Sequence, residues 1–231
     1  MRIAAGVAAV VAAALALNLV YQSVRKPAEL FYPVSGVLTK TPAETWRQYE
    51  AIFRSHSTAV MTPELLAALA QVEGAGDPLA RTPWRVRVSA DPRELYRPAS
   101  SAVGMYQITD GTFREAKRYC IHDHVAVEEG CWFNSLYLRV VPSHAVEMTS
   151  AYLDQRVAAA LARLRISAAT LEQKQDLAAL MHLCGAAAGE AYAKRGWLLA
   201  PGQRCGGHDP QAYLAQVRSL RRQFARLSTF G

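Results

Sequence analysis

A mainly α-helical single domain behind an apolar N-terminal segment is the fold class this sequence predicts, and three observations carry it. From Thr41 onward, capping residues followed by apolar positions at three- and four-residue spacing recur to the C-terminus. One stretch, Asp77 to Ser101, breaks that rhythm with Pro, Arg and aromatic residues and reads as a long loop or short β-hairpin insertion. Four cysteines, Cys120, Cys131, Cys184 and Cys205, stand downstream of the apolar segment and read as two disulfides. The 231 residues suffice for one sizeable core plus an appendage.

Taken in order, residues 1–22 hold the apolar segment. Met1-Arg2 precede Ile3 to Val20, where Asn18 is the single polar residue. Such a run exports the chain, either as a signal peptide cleaved near Ala14-Leu15-Ala16 or as an uncleaved membrane anchor. Because the run continues through Leu19-Val20-Tyr21, the anchor is slightly favoured, although Arg25 and Lys26 weaken the charge rule for orientation. Residues 23–40, with Pro27, Pro33 and Gly36, read as a linker, and residues 41–231 as the folded domain.

Thr41-Pro42 opens a helix through Phe53, with Trp46, Tyr49 and Phe53 on one buried face. Thr62-Pro63 opens the next, which Gly74 stops. In the insertion, Val86 and Val88 alternate with Arg85 and Arg87, and Pro92, Arg93 and Tyr96 follow. Thr112 and Glu115 form a capping-box pattern for a further helix, and Val146 to Leu164 is a long one. Thr170 with Gln173 starts the helix that ends at Cys184-Gly185, and Asp209-Pro210 starts the last.

Of the three connectivities four cysteines allow, short loops favour Cys120 with Cys131 and Cys184 with Cys205, each adding about 3 kcal/mol. A zinc site from Cys120, His122, His124 and Cys131 competes, but it lacks the usual Cys-x-x-Cys spacing. With 26 Lys and Arg against 19 Asp and Glu, the net charge of +7 suits polyanionic partners. Nucleic acid is not expected among them, since no finger, recognition-helix or aromatic RNA-binding motif accompanies the charge.

Glu73 is the candidate around which the rest is arranged. At about 100° per residue it shares an arc with Leu66, Leu69 and Ala70, so the carboxyl group faces inward at a helix C-terminus. Desolvation and the helix dipole both favour the protonated acid, the state a general acid requires. The competing reading is a solvated Glu or one paired with an Arg.

A helix ending in Glu73, then Gly104-Met105-Tyr106-Gln107-Ile108-Thr109, then a helix with Tyr152-Leu153 resembles the soluble lytic transglycosylase (SLT) domain, a relative of goose-type lysozyme. The resemblance covers roughly Trp46 to Gly189 and implies a lysozyme-like fold. It implies that Glu73 acts alone as acid and base on the β-1,4 bond between N-acetylmuramic acid and N-acetylglucosamine, leaving a 1,6-anhydro end. It also implies that Gln107, Ser101 and Gly104 hold the sugar, that Met105 and Tyr106 form a groove wall, and that Tyr152 orients Glu73.

Under that resemblance no metal or cofactor is needed. Peptidoglycan strands are the partner, the compartment is the periplasm, and residues 3–20 hold the inner membrane if uncleaved. A cell-envelope or secretion-machine protein is a further candidate partner. Three departures stand out: Gly74 replaces the Ser that usually follows the catalytic Glu, the Glu73-to-Gly104 spacing is long, and Met181-His182-Leu183-Cys184-Gly185 replaces an Ala-Tyr-Asn-Ala-Gly block. His182 then stands where the family has Tyr. A lysozyme-like hydrolase and a weakly active peptidoglycan-binding module are the alternatives.

Overall fold

The computed structural model describes residues 2–25, 36–86, 91 and 96–229. Most of the 23–40 linker, and Arg87, Val88, Pro92 and Arg93 of the insertion, lie outside the described residues. The first helix, α1 (Arg2–Arg25), contains an apolar span, Ile3–Val24, whose apolar side chains are largely exposed and whose C-terminal end includes the buried Gln22, 6% exposed. Its 24 residues extend about 36 Å, enough to cross a bilayer core of about 30 Å.

The next two helices begin where side chains satisfy free backbone N–H groups. Thr41 and Glu44 close a reciprocal capping box before α2 (Pro42–Ser55), and Thr62 accepts from the Leu65 N–H before α3 (Pro63–Gly74). Each such cap is worth about 1 kcal/mol. Trp46, Tyr49 and Phe53 form the buried face of α2, as their spacing predicts.

Burial surrounds α3 more completely than one stripe would require: Leu65 to Ala70 are all at most 1% exposed. The alanines at 67, 68 and 70 let neighbouring helices approach from every side. Its stop is also displaced by one residue, because Gly74 is still helical and Ala75 takes the left-handed conformation at φ 48°.

The insertion contains an antiparallel pair, β1 (Trp84–Val86) and β2 (Tyr96–Pro98). The helix expected at Thr112 begins earlier, as α4 (Asp110–Ala116) with Thr109 as its cap. The Ser101 hydroxyl accepts from the Asp110 N–H, which draws the start upstream. Glu115 is thereby released from any box and pairs with Arg156.

A second hairpin, β3 (Cys120–His122) and β4 (Val125–Val127), leads into a short 3-10 helix at Trp132–Leu136. Then come α5 (Pro142–Leu164), which starts four residues before the expected Val146, and α6 (Leu171–Cys184), capped by Thr170 and Gln173. Gly185 turns the chain into α7 (Ala186–Lys194), and α8 (Pro210–Thr229) closes the fold.

The last helix packs back on the first two of the domain. Phe224 is fully buried, its ring centroid 5.8 Å from that of Trp46. Arg218 donates from both Nε and Nη2 to the buried Asp176 carboxylate, joining α8 to α6. The disulfides are Cys120–Cys131 and Cys184–Cys205, the expected pairs, so neither Cys120 nor Cys131 offers a thiolate to a metal.

Candidate functional site

Glu73 lies in the last turn of α3, where the buried helix reaches the surface, and its side chain is 17% exposed. The Tyr213 hydroxyl donates to Glu73 Oε1 at 2.6 Å. His182 Nε2 lies 3.7 Å from the same oxygen and is 11% exposed. Among the described residues, no hydrogen bond reaches Oε2. Burial, then the Glu73 charge and hydrogen bond, push the Tyr213 phenol well above its ordinary value of 10, so it stays a donor.

Three helices converge to make this arrangement. Asp209 Oδ1 accepts from the Gln211 and Ala212 N–H groups and starts α8. Tyr213, Leu214 and Val217 then form its inward face, so the phenol is aimed by packing. The Arg218–Asp176 clamp fixes α8 against α6, which carries His182 in its last turn.

Glu73 and Tyr213 line a cleft of about 650 Å³. Thr82, Ser100 and Gln107 contribute to its lining from the insertion and the loop after it, and Leu183, Arg204 and His208 form a second wall segment from the end of α6 and the chain before α8. The Cys184–Cys205 bridge ties this second wall to the end of α6. Asp209 also lines the cleft.

The Gly104-x-x-Gln107 segment is a tight loop closed by paired backbone hydrogen bonds between Val103 and Ile108. Gly104 has φ 82°, and a Cβ there would lie 2.4 Å from the Arg139 carbonyl oxygen, so only glycine fits. Gln107 is also left-handed at φ 47°, a conformation that costs a non-glycine residue about 1 kcal/mol. Its side-chain nitrogen donates to the Ala80 and Gly104 carbonyls, leaving the amide oxygen as an acceptor for the cleft. Arg139 holds both ends of the loop through the Ser101 and Ile108 carbonyls, a role with no local sequence signal.

Other expected residues are placed differently. Met105 and Tyr106 are fully buried and form core, not groove wall. The Tyr106 hydroxyl donates to the Leu66 carbonyl, pinning the loop to α3. Ser101 turns its hydroxyl to the start of α4, and the neighbouring Ser100 lines the cleft. Tyr152 does not orient Glu73; its hydroxyl meets Glu115 at 3.2 Å, and Tyr213 makes the contact instead.

Burying Met105 also accounts for Gly74. A Cβ at position 74 would stand 2.8 Å from the Met105 Cα, so a Ser there has no room. Among the described residues, no cluster of three or more His, Cys, Asp or Glu could hold a metal.

Comparison with curated proteins gives no match. Residues 50–170, more than half of the chain, match the family model of the transglycosylase SLT domain. The matched span includes Glu73 and Gly104 to Gln107 and ends before His182 and Tyr213. On that coverage the chain belongs to the SLT transglycosylase family, a lysozyme-like group that acts on peptidoglycan.

Proposed function

We propose that the protein is a lytic transglycosylase that breaks the β-1,4 bond between N-acetylmuramic acid and N-acetylglucosamine without water, with Glu73 as its single acid and base. The observation that carries this reading is the asymmetry of the Glu73 carboxyl group on the cleft: Tyr213 holds Oε1, and Oε2 accepts no hydrogen bond from the described residues. Protonated Glu73 gives its proton to the glycosidic oxygen as the bond to the muramoyl C1 breaks, and the bonding pair leaves with the N-acetylglucosamine O4. The resulting carboxylate takes the proton of the muramoyl 6-hydroxyl while O6 bonds to C1. Glu73 ends protonated, and the strand ends in a 1,6-anhydro sugar.

The roles of the surrounding groups follow from their chemistry. Tyr213 keeps the carboxyl group in one orientation through both proton transfers. The Gln107 amide oxygen suits an N–H donor such as an acetamido group. Arg204 gives the second wall a cation for the carboxylates of peptide stems. In this reading α1 anchors the domain on the outer side of the inner membrane, and residues 41–231 form the catalytic domain.

The full chain in detergent, incubated with purified cell-wall sacculi, tests the proposal by the mass of the products. Anhydro ends from the wild type, and none from Glu73→Gln, are expected. Reducing ends alone would make it a hydrolase, and strand binding without turnover, unchanged in Glu73→Gln, would make it a binding module. Asp209, a second carboxylate on the cleft, favours the hydrolase as the rival. Asn caps helices as well as Asp, so Asp209→Asn separates the two: the proposal expects cleavage within a few-fold of wild type, and the rival its loss.

A further inference from the structure

Four large apolar side chains within seven residues face solvent: Trp132 is 81% exposed, Phe133 76%, Leu136 73% and Leu138 55%. Leaving one such side chain in water forfeits roughly 1.5–3 kcal/mol of burial, and a cluster of them marks a surface that meets something apolar. A loose loop does not account for them, because the backbone that carries them is fixed. Cys131, just before the cluster, is bonded to Cys120. Between the exposed residues, the Asn134 amide donates to the Tyr119 carbonyl and the Tyr137 hydroxyl to Glu147. Inward Asn134 and Tyr137 alternate with outward Trp132, Phe133, Leu136 and Leu138, so the fold holds the apolar side chains out.

We propose that this 132–138 patch seats in the interfacial layer of the bilayer that α1 crosses, so that the domain lies on the membrane surface instead of swinging above it. The proposal rests on reading α1 as an anchor. Composition favours lipid over a protein face, since a Trp and a Phe beside leucines are the side chains that settle at the headgroup boundary. Charge agrees. The Lys117 ammonium donates to the Ser135 carbonyl inside the patch, and the chain carries +7 overall, the sign that anionic headgroups attract.

Chain length permits both attachments at once. The linker joins the domain at the N-terminal end of α2, and Ser57, just past its C-terminal end, bonds to His124 of the hairpin next to the patch. Fourteen residues of helix separate these ends by about 21 Å. Residues 26–35 can span at most about 35 Å, so the end of α1 and the patch reach one surface together.

The test uses the full chain reconstituted in vesicles of anionic phospholipid brominated on the acyl chains, with unbrominated vesicles as reference. Trp emission of the wild type is expected to be quenched, and Trp132→Phe to lose most of that quenching. Phe133→Ser/Leu136→Ser, which keeps Trp132 as reporter, is expected to cut the quenching several-fold while leaving cleavage of soluble glycan fragments unchanged. Equal quenching in wild type and Trp132→Phe overturns the proposal. So does unquenched Trp132 together with cross-linked copies, which would make the patch a protein interface. A chain that co-floats with vesicles but shows neither effect overturns the patch alone. One that fails to co-float overturns the anchor as well.

Discussion

Glu73 and Glu147 are both largely buried, at 17% and 10% exposed; each accepts a tyrosine hydroxyl and each has a histidine nitrogen within 4 Å. What differs is the remaining oxygen. At Glu147, Oε2 takes the Tyr137 hydroxyl and Oε1 the Ile121 N–H, so the carboxyl group is fully used in clasping β3 to α5. At Glu73, Tyr213 and His182 both approach Oε1, Oε2 accepts no hydrogen bond from the described residues, and the side chain lines the cleft. The same three residue types make a structural clasp or a candidate acid according to whether an oxygen is left over on a side chain that lines a cleft.

Exchanging each carboxyl group for an amide breaks or sharpens that comparison most directly. Glu73→Gln keeps an acceptor for Tyr213, so the fold is expected to stay intact while cleavage of sacculi falls by about 10³-fold or more. Glu147→Gln is expected to do the reverse. It removes a charged acceptor from two hydrogen bonds, costs about 2 kcal/mol and lowers the melting temperature by roughly 4–8 °C, with turnover of the folded protein unchanged. Comparable loss of turnover in both variants would erase the distinction.

Next in size is Tyr213→Phe, which removes the hydroxyl and leaves the ring. A hydrogen bond to a charged group is worth about 1.5–3 kcal/mol, so kcat is expected to fall roughly 10- to 100-fold. KM should move little, because the phenol holds Glu73 and not the sugar. Unchanged kcat would leave Tyr213 a packing residue.

The two disulfides extend the comparison from single groups to walls. Replacing Cys184 and Cys205 together by Ser frees the Arg204 to Asp209 wall, and KM for strands is expected to rise several-fold, more than kcat changes. Replacing Cys120 and Cys131 is expected to lower stability, by about 3 kcal/mol in the chain-entropy account, without moving KM.

Local chemistry made half of this site legible in the sequence. Thr62-Pro63 announced α3 and so placed Glu73, the short cysteine loops gave the pairs, and Gly104 to Gln107 marked the loop facing the acid. Tyr213 was not legible, because it meets Glu73 across 140 positions and nothing around Asp209-Pro210 signals where α8 lands. Met105 and Tyr106 depart from the expected groove wall for a related reason. Apolar and aromatic side chains beside a site look the same in sequence whether they line the groove or support its floor. The β3–β4 hairpin has no signature in the sequence since its turn has no glycine: Asp123 and His124 take the left-handed conformation themselves, at φ 48° and 63°. Asp and His tolerate that region better than most residues, but weakly enough to leave no pattern.

The smallest expected effect concerns acid stability on the Glu147 side. Burial lowers the His56 pKa from its ordinary 6.5; the Glu147 charge opposes this and His144 adds to it. Burial likewise lowers that of His144, against the same charge. Well above pH 6.5 both imidazoles are neutral in folded and unfolded chains, so the stability they allow is fully present. As pH falls below 6.5, the unfolded chain binds protons that the folded one resists, and stability declines until the lowered folded values are passed. The slope cannot exceed one proton per histidine, about 1.4 kcal/mol per pH unit each. Denaturant unfolding between pH 8 and 5 should therefore show a decline beginning near pH 6.5, and His56→Gln should flatten part of it. A decline of the same slope in His56→Gln would assign the acid sensitivity elsewhere and leave Glu147 a clasp whose histidines do not titrate with folding.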